Sequence, residues 1–191
     1  MQKKKLVRVV VGSAVILLVP LVAMQFTDEV NWDLADFVIA GTLLTGTGTA
    51  FEFLASRGDN STYRAGAALA AATALFLVWT IGAVGLIGAE GDPFDAIYGV
   101  VIGIGVIGAV VARFQPQGMA RALSATAIAQ ALVVVIALLV GKQHSPVSSV
   151  AGIAGVNGFF VALWVLAAGL FRAASDPSPS SVEVSPSQRP V

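Results

Sequence analysis

Residues 65–87 have the sequence AGAALAAATALFLVWTIGAVGLI, an apolar stretch without a charged side chain that decides the fold of this chain. A helix of roughly 20 mostly apolar residues is long enough to cross the hydrocarbon core of a membrane, which is about 30 Å thick. The stretch therefore predicts a transmembrane helix.

Five further segments on either side of this stretch have the same character, namely residues 6–26, 37–55, 94–112, 120–140 and 147–171. Polar joints with turn and cap residues separate them: Asp33 with Asp36 before the second segment, Asp92-Pro93 before the fourth, Gln115-Pro116 before the fifth and Ser145-Pro146 before the sixth. The sequence predicts an all-α bundle of six transmembrane helices with short connecting loops over residues 1–172, followed by a disordered Pro/Ser-rich tail over 173–191.

The composition agrees with a membrane protein and excludes several function classes. Of the 191 residues 57% are hydrophobic and 12% are charged, about half the charged fraction of a soluble domain. A soluble enzyme or a nucleic-acid-binding protein is therefore excluded.

The chain has no cysteine and a single histidine. Residues 103–108 match the dinucleotide-binding spacing G-x-G-x-x-G, but they lie inside a predicted span. We therefore expect no cofactor, no metal and no enzymatic activity.

The basic residues predict the orientation. With the N-terminus placed inside, all of the 11 basic residues except Lys142 fall on the inner side, as the positive-inside rule requires. Residues 23–25 lack a small-x-small cleavage pattern, so we expect the first segment to be a retained helix. The expected location is the bacterial cytoplasmic membrane, with both termini cytoplasmic and the lipid bilayer as partner.

Polar residues within the predicted spans are the candidate site. Glu52 is an acidic residue placed inside a span, and an intramembrane carboxylate is a functional hypothesis by default. It would either coordinate a proton or cation, or pair with a neighbouring arginine and lock the bundle. The other members of this predicted polar site are Thr45, Thr49, Gln130 and Asn157. The expected arginine partners of Glu52 are Arg64, Arg113 and Arg121.

Glycines are concentrated in the second, fourth and sixth segments. Small residues four apart let two membrane helices approach closely. The sequence therefore predicts helix packing through Gly99, Gly103, Gly105 and Gly108 on the fourth helix. The same faces could bind another membrane protein or a second copy of the chain.

Several short motifs together resemble a bacterial family of small multi-pass membrane proteins. They are Trp32-x3-Asp36-Phe37, Leu77-Val78-Trp79, the run 83–88 with Glu90, the block 112–122 and Asn157-x-Phe159-Phe160. The resemblance covers roughly residues 30–172 and implies the same multi-pass architecture. It implies no activity and no catalytic residues, because the family has none established. Ile81 stands where relatives often have asparagine.

Two hypotheses on function follow. A small transporter or permeation protein would use the polar residues as an interior path. A structural or accessory membrane subunit would instead assemble through its glycine-rich helix faces. An intramembrane enzyme ranks last, since the sequence has no Ser/His pair and no metal-ligand set.

Overall fold

The structure is a computed structural model that describes residues 3–27, 29–58, 60–88, 91–144 and 148–175. These residues form six long helices and no strand: α1 Lys3–Ala23, α2 Leu34–Ala55, α3 Ser61–Ala83, α4 Ile97–Val111, α5 Pro116–Leu139 and α6 Val150–Ala173. Short 3-10 turns precede α4 (Pro93–Ala96) and follow α5 (Lys142–His144). Each of the six helices is long and apolar enough to cross a membrane, when the 3-10 turn at Pro93–Ala96 is counted together with α4. The predicted six-helix, multi-pass architecture is confirmed.

Local chemistry explains where the helices begin. Asp33 and Asp36 form a reciprocal capping box at the start of α2. Pro93 and Pro116 occupy first-turn positions, where no backbone N–H is needed. The predicted Ser145-Pro146 start of the sixth helix lies outside the described residues. Helix α6 begins at Val150, and Ser149 caps it by accepting a hydrogen bond from the backbone N–H of Gly152.

The third helix ends earlier than predicted, at Ala83 instead of residue 87. Beyond it the chain turns, with Gly85 and Gly88 in the left-handed conformation that glycine tolerates. The backbone N–H groups of Leu86 and Ile87 donate hydrogen bonds to the Asp95 carboxylate, at 2.9 and 3.1 Å. These amides therefore bind a side chain and do not extend the helix.

The helices pack in the spatial order α1–α2–α3–α6–α5–α4. Helices α3, α5 and α6 supply most of the buried core, including Tyr63, Leu77, Met119, Phe160, Trp164 and Phe171. By contrast, α1 buries only Ser13, and α2 buries only Ala40 and Ala55. The bundle is therefore a four-helix core with α1 and α2 attached at one side.

The two ends of the bundle differ in charge. We call the end where α1, α3 and α5 begin the basic end, because it carries Arg57, Arg64, Arg113, Arg121 and Arg172. The opposite end, which we call the acidic end, carries Asp33, Asp36, Asp92, Asp95 and the single basic residue Lys142. The predicted tail lies outside the described residues from 176 onwards.

Candidate functional site

The structure divides the five predicted polar residues between two places. Thr45, Thr49 and Glu52 lie on α2, on the α1 side of the bundle. Gln130 and Asn157 lie in the core formed by α4, α5 and α6. The two groups share no hydrogen bond within the described residues, so each is considered separately.

Thr45 and Thr49 line a shallow surface groove between α1 and α2, which we call the α1/α2 groove. Its volume is about 750 Å³, and its walls are Val10, Ser13, Ala14, Leu17, Phe37, Val38, Gly41, Thr42, Thr45, Gly46 and Thr49. The Thr45 hydroxyl donates a long hydrogen bond of 3.4 Å to Ser13 Oγ, which joins the two helices at the floor of the groove. The groove is therefore apolar with hydroxyl groups and small residues along α2.

Glu52 pairs with lysine and arginine on α1, not with the expected Arg64, Arg113 or Arg121. Its carboxylate lies 3.4 Å from Lys5 Nζ and 3.4 Å from Arg8 Nη1, and its side chain is 11% exposed. The expectation was wrong because α1 is the helix that packs on this face of α2. Two cations therefore neutralise the carboxylate and attach α1 to α2 at the basic end.

Gln130 and Asn157 belong to a fully buried polar cluster with Tyr98. Asn157 Oδ1 accepts hydrogen bonds from the Tyr98 hydroxyl at 2.8 Å and from Gln130 Nε2 at 2.9 Å. Asn157 Nδ2 donates to the Ile153 carbonyl of its own helix, at 2.9 Å. The cluster thus joins α4, α5 and α6 through one side chain amide. Tyr98 itself is completely buried.

Two buried polar atoms near the middle of this core have no partner among the described residues. They are Gln130 Oε1, which belongs to the cluster, and Trp164 Nε1, which lies on α6 about two turns beyond Asn157. Nearby hydroxyls on α3 and α5 donate to their own helices, from Thr73 to the Leu69 carbonyl and from Thr126 to the Ala122 carbonyl. Most of the interior polarity is therefore satisfied within the protein.

The predicted packing glycines separate into two pairs. A Cβ atom added at Gly105 would lie 3.1 Å from Thr126 Oγ1, and one at Gly108 would lie 2.7 Å from the Ala122 Cβ. These two glycines allow α4 to approach α5 closely. A Cβ atom at Gly99 or Gly103 meets nothing within 4 Å. These two glycines therefore face away from the rest of the chain.

A charged cluster at the acidic end was missed at the sequence level. Lys142 Nζ donates to both carboxylate oxygens of Asp92, at 2.8 and 2.7 Å, and lies 5.3 Å from the centroid of the Phe94 ring. Ser148 Oγ accepts a hydrogen bond of 2.9 Å from the backbone N–H of Gly88. The cluster connects the loop between α3 and α4 to the segment between α5 and α6. The sequence signal for this cluster was Lys142, the one lysine or arginine on the acidic side.

The Asp92–Lys142 pair predicts a pH dependence. The Lys142 ammonium, together with the backbone N–H of Phe94, lowers the pKa of Asp92 below its usual value near 4. A carboxylate with a lowered pKa in the folded state stabilises the fold above its unfolded pKa, and this contribution is lost as the pH falls through its folded pKa. The stability difference between the wild type and Lys142→Gln is therefore expected to be constant from about pH 7 to 5.

Below about pH 4 this difference is expected to shrink, because Asp92 becomes protonated in both proteins. Equilibrium unfolding in bicelles at a series of pH values measures it. A difference that stays unchanged down to about pH 2 contradicts the assignment.

No three or more histidine, aspartate or glutamate side chains within the described ranges are grouped so that they could hold a metal ion. No family model matches the chain, and neither the curated proteins nor the solved structures give a significant match.

Proposed function

We propose that the chain is a structural or accessory membrane subunit, without enzymatic activity, that associates with a second copy of itself through the α1/α2 groove. The observation that carries this proposal is the composition of the groove: a membrane-spanning surface in which glycines and hydroxyl residues stand where large apolar side chains would otherwise contact lipid. The proposed location of the protein is the bacterial cytoplasmic membrane, with both termini cytoplasmic. The concentration of basic residues at one end supports the placement of both termini in the cytoplasm.

The spacing within the groove suits a second helix. Gly41, Thr45 and Thr49 are four residues apart along α2, and so are Thr42 and Gly46, so each set forms a row along one face. Membrane helices associate by close packing over small residues and by hydrogen bonds from hydroxyl groups. The α1/α2 groove offers both over more than two helical turns.

The chain also carries a surface that fits this groove. Gly99 and Gly103 form a small-residue row on α4, and a Cβ atom added at either would meet nothing within 4 Å. Exposed branched side chains, Val100, Val106 and Ile107, lie on either side of the row. These branched side chains form the ridge on α4 that would enter the α1/α2 groove of a second copy, because α4 and α1 stand at opposite ends of the packing order.

A transporter or permeation protein has less support. Its proposed polar residues lie in two separate places, and the charge of Glu52 is neutralised by Lys5 and Arg8. The buried polar cluster is held by hydrogen bonds between its own members. These observations favour a role in helix packing for the polar residues.

Gly46→Leu is expected to weaken self-association about tenfold. A Cβ atom at Gly46 meets nothing within 4 Å, so the leucine side chain can extend into the groove that Gly46 lines. Energy transfer between donor-labelled and acceptor-labelled full-length copies in liposomes, measured over a range of protein-to-lipid ratios, gives the association constant. Gly103→Leu, on the opposing ridge, is expected to have a similar effect.

Gly12→Leu is the matched control for this experiment. Gly12 lies on α1, and a Cβ atom there, as at Gly46, would meet nothing within 4 Å. Unlike Gly46, however, Gly12 does not line the α1/α2 groove. We expect its association constant to stay within about twofold of the wild type. Energy transfer at background level for the wild type, or an equal loss for all three variants, would refute the proposal.

A further inference from the structure

The turn between α4 and α5 at the basic end has an unusual backbone. Helix α4 ends in a Schellman motif: the Phe114 N–H donates to the Ala109 carbonyl at 3.1 Å, and the Arg113 N–H donates to the Val110 carbonyl at 2.9 Å. The residue at the turn of such a motif is usually glycine, because its φ angle is positive. Here Arg113 and Phe114 have φ angles of 50° and 61°. Two large residues therefore hold a conformation that is costly for them.

Neighbouring groups hold this turn in place. The Tyr63 hydroxyl donates a hydrogen bond of 2.7 Å to the Phe114 carbonyl, and Tyr63 is itself almost completely buried in α3. The Phe114 ring packs edge-on against Phe53 of α2, with the ring centroids 5.1 Å apart. Backbone strain that surrounding structure maintains in this way is typical of ligand-binding sites.

The two rings position an arginine. The guanidinium carbon of Arg57 lies 4.5 Å from the Phe53 ring centroid and 5.3 Å from that of Phe114. Arg57 has no carboxylate within salt-bridge distance and no side-chain hydrogen bond among the described residues. A guanidinium that stacks on an aromatic face keeps its N–H groups free in its own plane, parallel to the ring, and these match the oxygens of a phosphate.

The charges at this end favour an anionic ligand. Glu52 is already paired with Lys5 and Arg8, and Asp59 lies outside the described residues. The exposed basic side chains that remain at this end include Arg57, Arg64, Arg113, Arg121 and Arg172. Immediately before the turn, Val110 and Val111 of α4 are exposed on the membrane-facing surface. An anionic headgroup and an acyl chain would thus find complementary surfaces within one helical turn.

We propose that Arg57 and Arg113 bind the phosphate of an anionic phospholipid at the basic end, with an acyl chain lying on α4 beside Val110 and Val111. The Phe53–Phe114 pair orients Arg57, and Arg113 directly precedes Phe114 in the left-handed turn. This site is separate from the α1/α2 groove, which is lined by none of these residues.

Binding of phosphatidylglycerol to the full-length protein, measured by native mass spectrometry from detergent against phosphatidylcholine as reference, tests this inference. The double variant Arg57→Gln/Arg113→Gln is expected to lower the affinity for phosphatidylglycerol at least about tenfold, with little change for phosphatidylcholine. Arg172→Gln removes an exposed charge from the same end, in the last turn of α6, and is expected to change the affinity less than about twofold.

Two variants that keep every charge distinguish this site from a diffuse basic surface. Phe114→Leu removes the ring under Arg57, and Tyr63→Phe removes the hydrogen bond that holds the turn; each is expected to weaken phosphatidylglycerol binding about threefold or more. Circular dichroism and thermal unfolding confirm that each variant is folded. The inference is overturned if the wild type does not prefer phosphatidylglycerol, if millimolar inorganic phosphate displaces the lipid, or if binding depends only on the number of arginines.

Discussion

Asp95→Ala is expected to lower the free energy of unfolding by about 3 kcal/mol. The carboxylate is 5% exposed and accepts the backbone N–H groups of Leu86 and Ile87, both of which are buried. Alanine removes the acceptor for two buried donors, and each unpaired donor costs about 1–3 kcal/mol. Equilibrium unfolding in bicelles, by steric trapping or by titration with a denaturing detergent, measures the change.

Asp36→Ala is the matched control for Asp95. Asp36 is also an acid at the acidic end that accepts from a backbone N–H, but it is exposed and takes part only in the cap of α2. Its loss is expected to cost about 1 kcal/mol. If Asp95→Ala costs no more than Asp36→Ala, then the buried carboxylate does not hold the segment after α3.

Asn157→Leu is expected to destabilise the bundle by about 2 kcal/mol. Leucine is similar in size, so the change leaves the packing nearly intact but strands the Tyr98 hydroxyl and the Gln130 amide in the core. Single hydrogen bonds between membrane helices average only about 0.6 kcal/mol. The larger expected effect arises because one side chain serves two partners from two other helices.

A double-mutant cycle with Tyr98→Phe isolates this contribution. In the wild-type background Tyr98→Phe removes a hydrogen bond and is expected to cost about 1 kcal/mol, whereas in the Asn157→Leu background it is expected to cost almost nothing. The same unfolding assay applies to all four proteins. Strictly additive effects would show that the hydroxyl of Tyr98 does not depend on Asn157.

The membrane architecture could be predicted from the sequence because its signals are local. Apolar stretches of sufficient length and cap residues such as Asp33 act within one helix and one turn, without regard to the partners of that helix. The error at the end of α3 has the same origin. Residues 84–87 are apolar enough to continue the helix, and only the distant Asp95 carboxylate shows why they do not.

The candidate site was less predictable, because the choice of partner depends on which helices are neighbours. Arginines at a similar depth on α3, α4 and α5 were reasonable partners for Glu52, yet α1 covers that face of α2 and supplies Lys5 and Arg8. Tyr98 stands near the start of α4, where an aromatic residue usually marks the interface. Its burial against Asn157 follows from the packing of α4 on α5 and α6.

The chain by itself determined that six apolar helices are long enough to cross a membrane, where α2, the turn before α4 and α5 begin, and how the basic residues divide between the two ends, since transfer into lipid and capping depend on each segment alone. Only the tertiary structure decided which residues face one another. Gly99 and Gly103 have the same spacing as small residues that pack, but they lie in the open, whereas Gly105 and Gly108 contact α5. The rotation of a helix about its axis is set by all of its neighbours together, and no single segment encodes it.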